Sequence, residues 1–253
     1  LGLLEAIQRG QSPADQQIEA LFRRHPEMGK RDRAAVSDMV YGVLRDAGRL
    51  QALAGEAPAG WLARYWADAG LPAETLTALG LPPAVADAPV PEAAALNLPT
   101  DWHARLLRQL GADDTATLAT ALNQPAPVDV RVNSLRAGRD VTLVALQAEG
   151  LEARATPFSS DGIRLGQRLP RGHVRFADGT LEPQDEGSQL LAALAAATPG
   201  DTVIDWCAGA GGKSLAMAAH MQNRGRIVAC DISASRLAKI PSRAARAGVS
   251  IID

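Results

Sequence analysis

The chain has 253 residues, with 26 basic and 28 acidic side chains, a net charge of −2, 47% hydrophobic and 21% charged residues. This is the composition of a soluble globular protein of about two domains, and it carries no global basic signature for nucleic acid. No apolar run approaches the ~20 residues that span a bilayer, Leu1-Gly2-Leu3-Leu4-Glu5 lacks a signal peptide's basic region, and two cysteines make no disulfide framework, so a cytoplasmic protein without membrane association is expected.

The first half reads helical. Val36, Met39, Val40, Val43 and Leu44 follow helical spacing behind Asp32, a plausible N-cap. Trp61, Leu62 and Tyr65 mark a second helix, and Trp102, Leu106, Leu107 and Leu110 a third. Asp113 or Asp114 is placed to cap a fourth that carries Leu118 and Leu122. Five prolines between Leu81 and Pro99 predict an irregular connection.

The period changes after residue 125. Val128, Val130 and Val132 alternate with Asp129, Arg131 and Asn133, the pattern of a half-buried strand with Arg131 and Asn133 on its polar face. A helix capped by Asp140, bearing Val141, Val144 and Leu146, should stop at Gly150. Short strands separated by Asp161-Gly162 and Asp178-Gly179 turns follow, which suggests a small α+β module of ferredoxin-like kind. Basic and acidic side chains number 11 and 15 over residues 1–125, and 15 and 13 over residues 126–253. Arginines at 131, 136, 139, 154, 164, 168, 171 and 175 could grip phosphates and stack on bases, although a solvated mixed surface is the plainer explanation of so balanced a charge.

From Gln184 a helix runs through Leu190, Leu191, Leu194 and Ala197 to Thr198-Pro199-Gly200. Strand 202–206, helix 213–222, strand 226–230 and a helix from about Ala234 complete the alternation of a parallel doubly wound sheet, with Pro241 breaking or kinking the last helix. Only two strands of that sheet are expected before Asp253, too few to bury both faces, so further chain is anticipated.

Between the two strands lies Asp205-Trp206-Cys207-Ala208-Gly209-Ala210-Gly211-Gly212-Lys213-Ser214. Strand, glycine-rich turn and helix set backbone N–H groups at a helix N-terminus, where an anionic ligand binds. The dinucleotide spacing G-x-G-x-x-G fails at Ser214, and the phosphate loop G-x-x-x-x-G-K-[ST] fails at Cys207. An acidic residue followed by spaced glycines, Asp205, Gly209 and Gly211, fits an S-adenosylmethionine (SAM) site. Asp231 ends the next strand, where a carboxylate takes the ribose hydroxyls of an adenosine. The adenosine reading is therefore preferred.

The set Gln184-Asp185-Glu186-Gly187-Ser188-Gln189-Leu190, then Asp205 to Ser214, then Asp231 and Arg236, resembles the Sun/Nop family of RNA cytosine-5 methyltransferases, and Arg131-Val132-Asn133 is similar to that family's RVN segment. Its commoner loop reads CAAPGGKT, from which Gly209, Ala210 and Ser214 differ. In the first half, Asp32-Arg33 and Val40-Tyr41-Gly42-Val43-Leu44-Arg45 resemble the NusB-like bundle often fused to these enzymes, as an RNA- or protein-docking module or as a stabilising appendage.

The resemblance implies a helical domain over 1–125, an RNA-binding α+β module over 126–182 and the start of a Rossmann-like methyltransferase domain over 183–253. It implies SAM held by Cys207, Ala208, Gly209, Ala210, Gly211, Gly212, Lys213, Asp231 and Arg236, with RNA contacts at Arg131 and Asn133. Asp205 is expected to orient the loop through backbone hydrogen bonds. The family's chemistry adds a cysteine thiolate to the cytosine ring, in a Pro-Cys and a Thr-Cys context, before carbon 5 takes the methyl group. Neither dipeptide occurs here. Cys207 matches the loop cysteine and Cys230 reads as a buried strand residue, so no catalytic residue is expected in this chain, and none of its activity without the rest of the enzyme. The substrate implied is RNA, ribosomal in preference to transfer RNA, for a monomer with no metal. A non-catalytic RNA-binding or assembly module with a structural SAM site, and a phosphate-loop nucleotidase, are the alternatives.

Overall fold

A computed structural model describes residues 1–10, 12–170 and 172–253; Arg171 lies outside the described residues. The chain divides into two compact units, Leu1–Pro125 and Ala126–Asp253.

The first unit is helical: α1 (Gly2–Gln8), α2 (Ala14–Arg24), α3 (Lys30–Arg45), α4 (Ala47–Ala54), α5 (Pro58–Asp68), α6 (Ala73–Ala78), α7 (Glu92–Ala95), α8 (Thr100–Leu110) and α9 (Ala112–Leu122). Leu4, Ile18, Val40, Val43, Leu50, Trp61 and Leu62 form its core, with Val36, Met39, Leu44 and Tyr65 packed around them. Each such side chain contributes about 1.5–3 kcal/mol of burial. Asp32 is not the N-cap of α3. Gly29 is, and its N–H donates to Asp32 Oδ2 at 3.0 Å from the first turn. Gly111 likewise caps α9, with Asp113 and Asp114 in its first turn.

The stripes expected on α8 and α9 are only partly buried. Trp102, Leu110 and Leu122 face solvent, while His103, Thr115 and Ala119 turn inward. The Arg105 guanidinium covers the exposed Trp102 ring at 5.6 Å. The proline-rich connection is irregular except for the single turn of α7.

The second unit opens with β1 (Val128–Val132), α10 (Arg139–Ala148), β2 (Ala153–Ala155), β3 (Gly162–Leu165), α11 (Val174–Ala177) and β4 (Leu181–Pro183). The sheet order is β2-β3-β1-β4 with every pair antiparallel. This is the split βαβ topology of the ferredoxin-like fold. Val130, Val132, Leu146, Ile163, Leu165 and Leu181 fill its core. Two details correct the sequence reading. Gly138, not Asp140, caps α10, and Val141 and Val144 lie on its exposed side. Strand β1 is buried on both faces, because its polar side chains Asp129 and Arg131, with Asn133 just beyond its end, point toward the elements that follow β4.

Those elements are α12 (Glu186–Leu194), β5 (Thr202–Asp205), α13 (Gly212–His220), β6 (Arg226–Ala229), α14 (Ala234–Leu237) and α15 (Ile240–Ala247). Asp185 caps α12 by accepting from Ser188 N–H at 2.9 Å. Strands β5 and β6 are parallel, with Ile204 opposite Val228 and Asp205 opposite Ala229. A third parallel strand begins at the chain's end, where Ile251 O accepts from Ile227 N–H at 2.7 Å and Asp253 N–H donates to Ile227 O at 2.8 Å. The sequence reading missed it. Pro241 sits in the first turn of α15, where its missing N–H has no helical partner to lose, so it starts a new helix beyond the short α14.

Candidate functional site

The loop between β5 and α13 is built by two left-handed glycines. Gly209 has φ +57° and Gly211 has φ +83°, a region that other residues enter only with strain. Gly211 caps α13 and its N–H donates to Ala208 O at 2.9 Å. A Cβ at Gly209 would collide with the Arg236 guanidinium. Ala208 N–H donates to Cys230 O, and Cys230 N–H to Asp205 O, each at 2.8 Å, so the loop leaves the sheet in register with the end of β6.

Asp205 holds the loop through its side chain in addition to its backbone carbonyl, which takes Cys230 N–H. Its Oδ2 accepts from the Ser214 hydroxyl at 2.7 Å, and Ser214 is fully buried. Ser214→Ala should therefore cost about 1–2 kcal/mol, by removing one bond and leaving a carboxylate oxygen short of a donor. A shift of the urea midpoint at unchanged slope would show it, and an unshifted midpoint would refute this role for the pair.

Asp231, just past β6, is tied to the same loop. Its Oδ2 accepts from Gly209 N–H at 2.8 Å, its Oδ1 from Ser233 N–H at 2.8 Å, and Arg236 Nη1 stands 3.4 Å from Oδ2. The Asp231 side chain is 4% exposed whereas that of Arg236 is 60% exposed. These donors, the Ser233 N–H foremost, keep the Asp231 carboxyl below the usual carboxylate range.

Gly212, Lys213 and Ser214 open α13, so their N–H groups have no intrahelical acceptor and find none among the described residues. Alongside lies a cleft of about 890 Å³. Cys207, Ala208, Ala210, Gly212, Lys213 and Arg236 line one wall, and Gln184, Asp185 and Ser188 stand at the start of α12. Val128, Val130, Leu165, Leu169 and Phe176 of the ferredoxin-like module add an apolar wall, and Arg168, Arg243 and Arg246 add positive charge. Donors at a helix N-terminus, a carboxylate at the next strand end and an apolar wall suit a ligand that is part nucleoside and part anion.

Of the nine residues expected at a cofactor, Cys207, Ala208, Ala210, Gly212, Lys213 and Arg236 line the cleft, whereas Gly209 and Gly211 belong to the same turn, and Asp231 is bonded to it, without lining the cleft. Cys230, expected to be buried, is only half-buried at the strand end, and Cys207 is exposed on the cleft. Both thiols are free.

Arg131 and Asn133 are each 3% exposed, which corrects their expected contact with RNA. Arg131 Nε donates to Gln184 Oε1 at 2.7 Å. Asn133 Nδ2 donates to Gly179 O at 3.0 Å and to Ala247 O at 2.8 Å, while its Oδ1 accepts from Leu135 N–H. Several other arginines of that segment are engaged within the fold. Arg164 grips Asp129 at 2.7 and 2.9 Å, Arg175 pairs with Glu149, Arg139 with Asp140, and Arg136 bonds Arg246 O. Arg243 and Glu182, which the sequence reading overlooked, stand beside the loop. An Arg-x-x-Arg spacing at 243 and 246 was the only signal available, and a surface helix shows it as often.

Among the described residues no three His, Cys, Asp or Glu side chains are grouped to hold a metal, and no helix is long and apolar enough to cross a membrane.

Two family models match the chain. Residues 98–171 match the one described as Methyltr_RsmF/B-like, ferredoxin-like domain, and residues 192–253 match the one described as 16S rRNA methyltransferase RsmB/F. The ribosomal RNA small subunit methyltransferase B of Pseudomonas syringae pv. tomato is 34% identical over 149 residues, which are 58% of this chain and 33% of that protein. The chain thus spans about a third of the length of the curated relatives it matches. Among solved structures, PH0851 covers 99% of this chain and 67% of its own at 19% identity and TM-score 0.73. NSun6 from Pyrococcus horikoshii, solved with SFG, covers 61% of this chain and 64% of its own at 17% identity and TM-score 0.54. At such identities the likeness shows the fold alone. The segments matched, in their order along the chain, agree with the ferredoxin-like sheet and the loop-bearing parallel strands, and the chain belongs to the RsmB/F, or Sun/Nop, family of methyltransferases.

Proposed function

We propose that the loop from Cys207 to Lys213, with Asp231 and Arg236, binds SAM, and that the chain forms the cofactor-bearing part of a ribosomal RNA cytosine-5 methyltransferase. The observation that carries this reading is the Asp231 carboxylate, bonded to Gly209 N–H and so fixed against the glycine turn. In that place it would receive the ribose hydroxyls, while the free N–H groups opening α13 and the ammonium of Lys213 would receive the carboxylate of the amino-acid moiety. Bound SAM would supply the methyl group. Arg236 would close over the sugar from its exposed position beside Gly209.

RNA would approach across the cleft, where Arg168, Lys213, Arg236 and Arg246 lie together, rather than through Arg131 and Asn133. Cys207 faces that cleft, yet it belongs to the cofactor loop, and neither it nor Cys230 is assigned as nucleophile. The proposed organisation is a helical docking domain over 1–125, the α+β module over 126–182 and the methyltransferase part over 183–253, in a cytoplasmic monomer.

Calorimetry with SAM and, separately, ATP tests the reading. Saturable binding of SAM with none of ATP is expected. Binding of ATP in preference to SAM would return the loop to the phosphate-loop class.

A further inference from the structure

We propose that Arg243 is a positioning residue that ties the cofactor loop to the ferredoxin-like module, so that the loop's geometry depends on strand β4. This rests on the SAM reading above. The Arg243 guanidinium forks between two elements. Nη1 donates to the Ala210 carbonyl in the loop, and Nη2 donates to Glu182 Oε1 on β4 at 2.7 Å. Glu182 has a side chain only 8% exposed and also takes Arg246 Nη2 at 2.8 and 3.1 Å. Two cations share one buried carboxylate, which leaves net positive charge beside the Ala210 carbonyl.

That carbonyl belongs to the peptide plane entering Gly211, the left-handed cap of α13. Turning the carbonyl toward Arg243 sets the plane, and the plane sets where the N–H groups of Gly212 and Lys213 point. The same face of α15 holds the loop a second time. Ile240, one turn before Arg243, lies so close to Gly211 that a Cβ added there would stand 3.0 Å from its side chain. Neither Glu182 nor Arg243 needs to touch the cofactor for the arrangement to matter. A planar fork can bond both acceptors at once, and a lysine can serve only one of them in that geometry.

Arg243→Met should raise the Kd for SAM about tenfold, and Arg243→Lys by a smaller factor. Glu182→Gln, a change on another strand, should also weaken SAM. The double variant Glu182→Gln/Arg243→Met should match Arg243→Met rather than multiply the two effects, because the residues act as one unit. A merely structural role would lower the melting temperature of each variant and leave the Kd in place.

Hydrogen exchange without cofactor reads the same tie. The Gly211 N–H, bonded to Ala208 O at 2.9 Å, should exchange about tenfold faster in Arg243→Lys and Glu182→Gln. If that amide exchanges at the wild-type rate in both variants, or if the two substitutions multiply in Kd, the proposal is overturned. Failure of the wild-type chain to bind SAM overturns the cofactor reading instead, and the exchange measurement still decides the tie.

Discussion

Asp231→Ala raises the Kd for SAM by about a hundredfold under the cofactor assignment, which is two factors of ten on the affinity scale. Two effects add. The alanine removes an acceptor for the ribose hydroxyls, and it releases Gly209 N–H and Ser233 N–H, each now 2.8 Å from the carboxylate. Asp231→Asn separates them, since an amide of the same shape keeps one acceptor for the loop but lacks the charge. The asparagine variant sets its NH2 against one of these two N–H donors, so it should melt below wild type but above the alanine variant, and bind SAM at least tenfold more weakly. Wild-type affinity in the alanine variant, measured by calorimetry, would remove Asp231 from the site.

The pH dependence has a definite sign. The carboxyl of Asp231 sits below its ordinary value of 3.8, chiefly through the Ser233 N–H, then the Gly209 N–H and the charge of Arg236, against the opposing effect of its burial. A group depressed in the folded state contributes fully above its unfolded pKa and loses that contribution as pH falls through the lowered value. The Asp231-dependent part of SAM affinity should thus be constant from about pH 8 to about pH 5 and fall only under more acid conditions. A decline already complete by about pH 6 would point to another group.

What the sequence disclosed about this site was local. The glycine turn announces itself because Gly209 and Gly211 occupy φ values that other residues avoid, and Asp231 follows just after the next strand. Helix starts were legible to within a turn and no better. Asp32, Asp113, Asp114 and Asp140 all sit in first turns behind glycine caps, because a carboxylate near a helix N-terminus is favourable at several positions and spacing does not choose among them.

Contacts between distant segments left no local trace. Ser214 reaches Asp205 across nine residues, Arg243 reaches Glu182 across sixty-one, and the strand at 251–253 is recognisable only by pairing with β6. Alternation along β1 reports a single sheet with one wet face. It cannot report that α12 and α15 cover the face expected to be wet, and that is why Arg131 and Asn133 read as surface residues.

Asn133→Ala provides the sharpest test of that burial. The Asn133 amide joins three backbone groups: the carbonyls of Gly179, in the turn before β4, and Ala247, at the end of α15, and the N–H of Leu135. Truncation leaves two carbonyls and one N–H short of partners where the side chain was 3% exposed. A buried group left unsatisfied costs about 1–3 kcal/mol, and with some relaxation the three together should cost about 3 kcal/mol. For a unit of this size that corresponds to a fall of roughly 6–12 °C in melting temperature.

The backbone around Gly179 has little room to relax. Its φ is +77°, and an added Cβ would stand 2.1 Å from Arg246 O, so the turn and α15 are already in close contact. An RNA-contacting asparagine would behave in the opposite way, with unchanged melting and a loss confined to RNA affinity. Asn133→Asp sharpens the distinction. It retains the acceptor for Leu135 N–H but sets a carboxylate against the carbonyls of Gly179 and Ala247, so it should melt below even the alanine variant. A melting curve for Asn133→Asp equal to wild type would place the side chain in solvent and restore its role at the RNA surface.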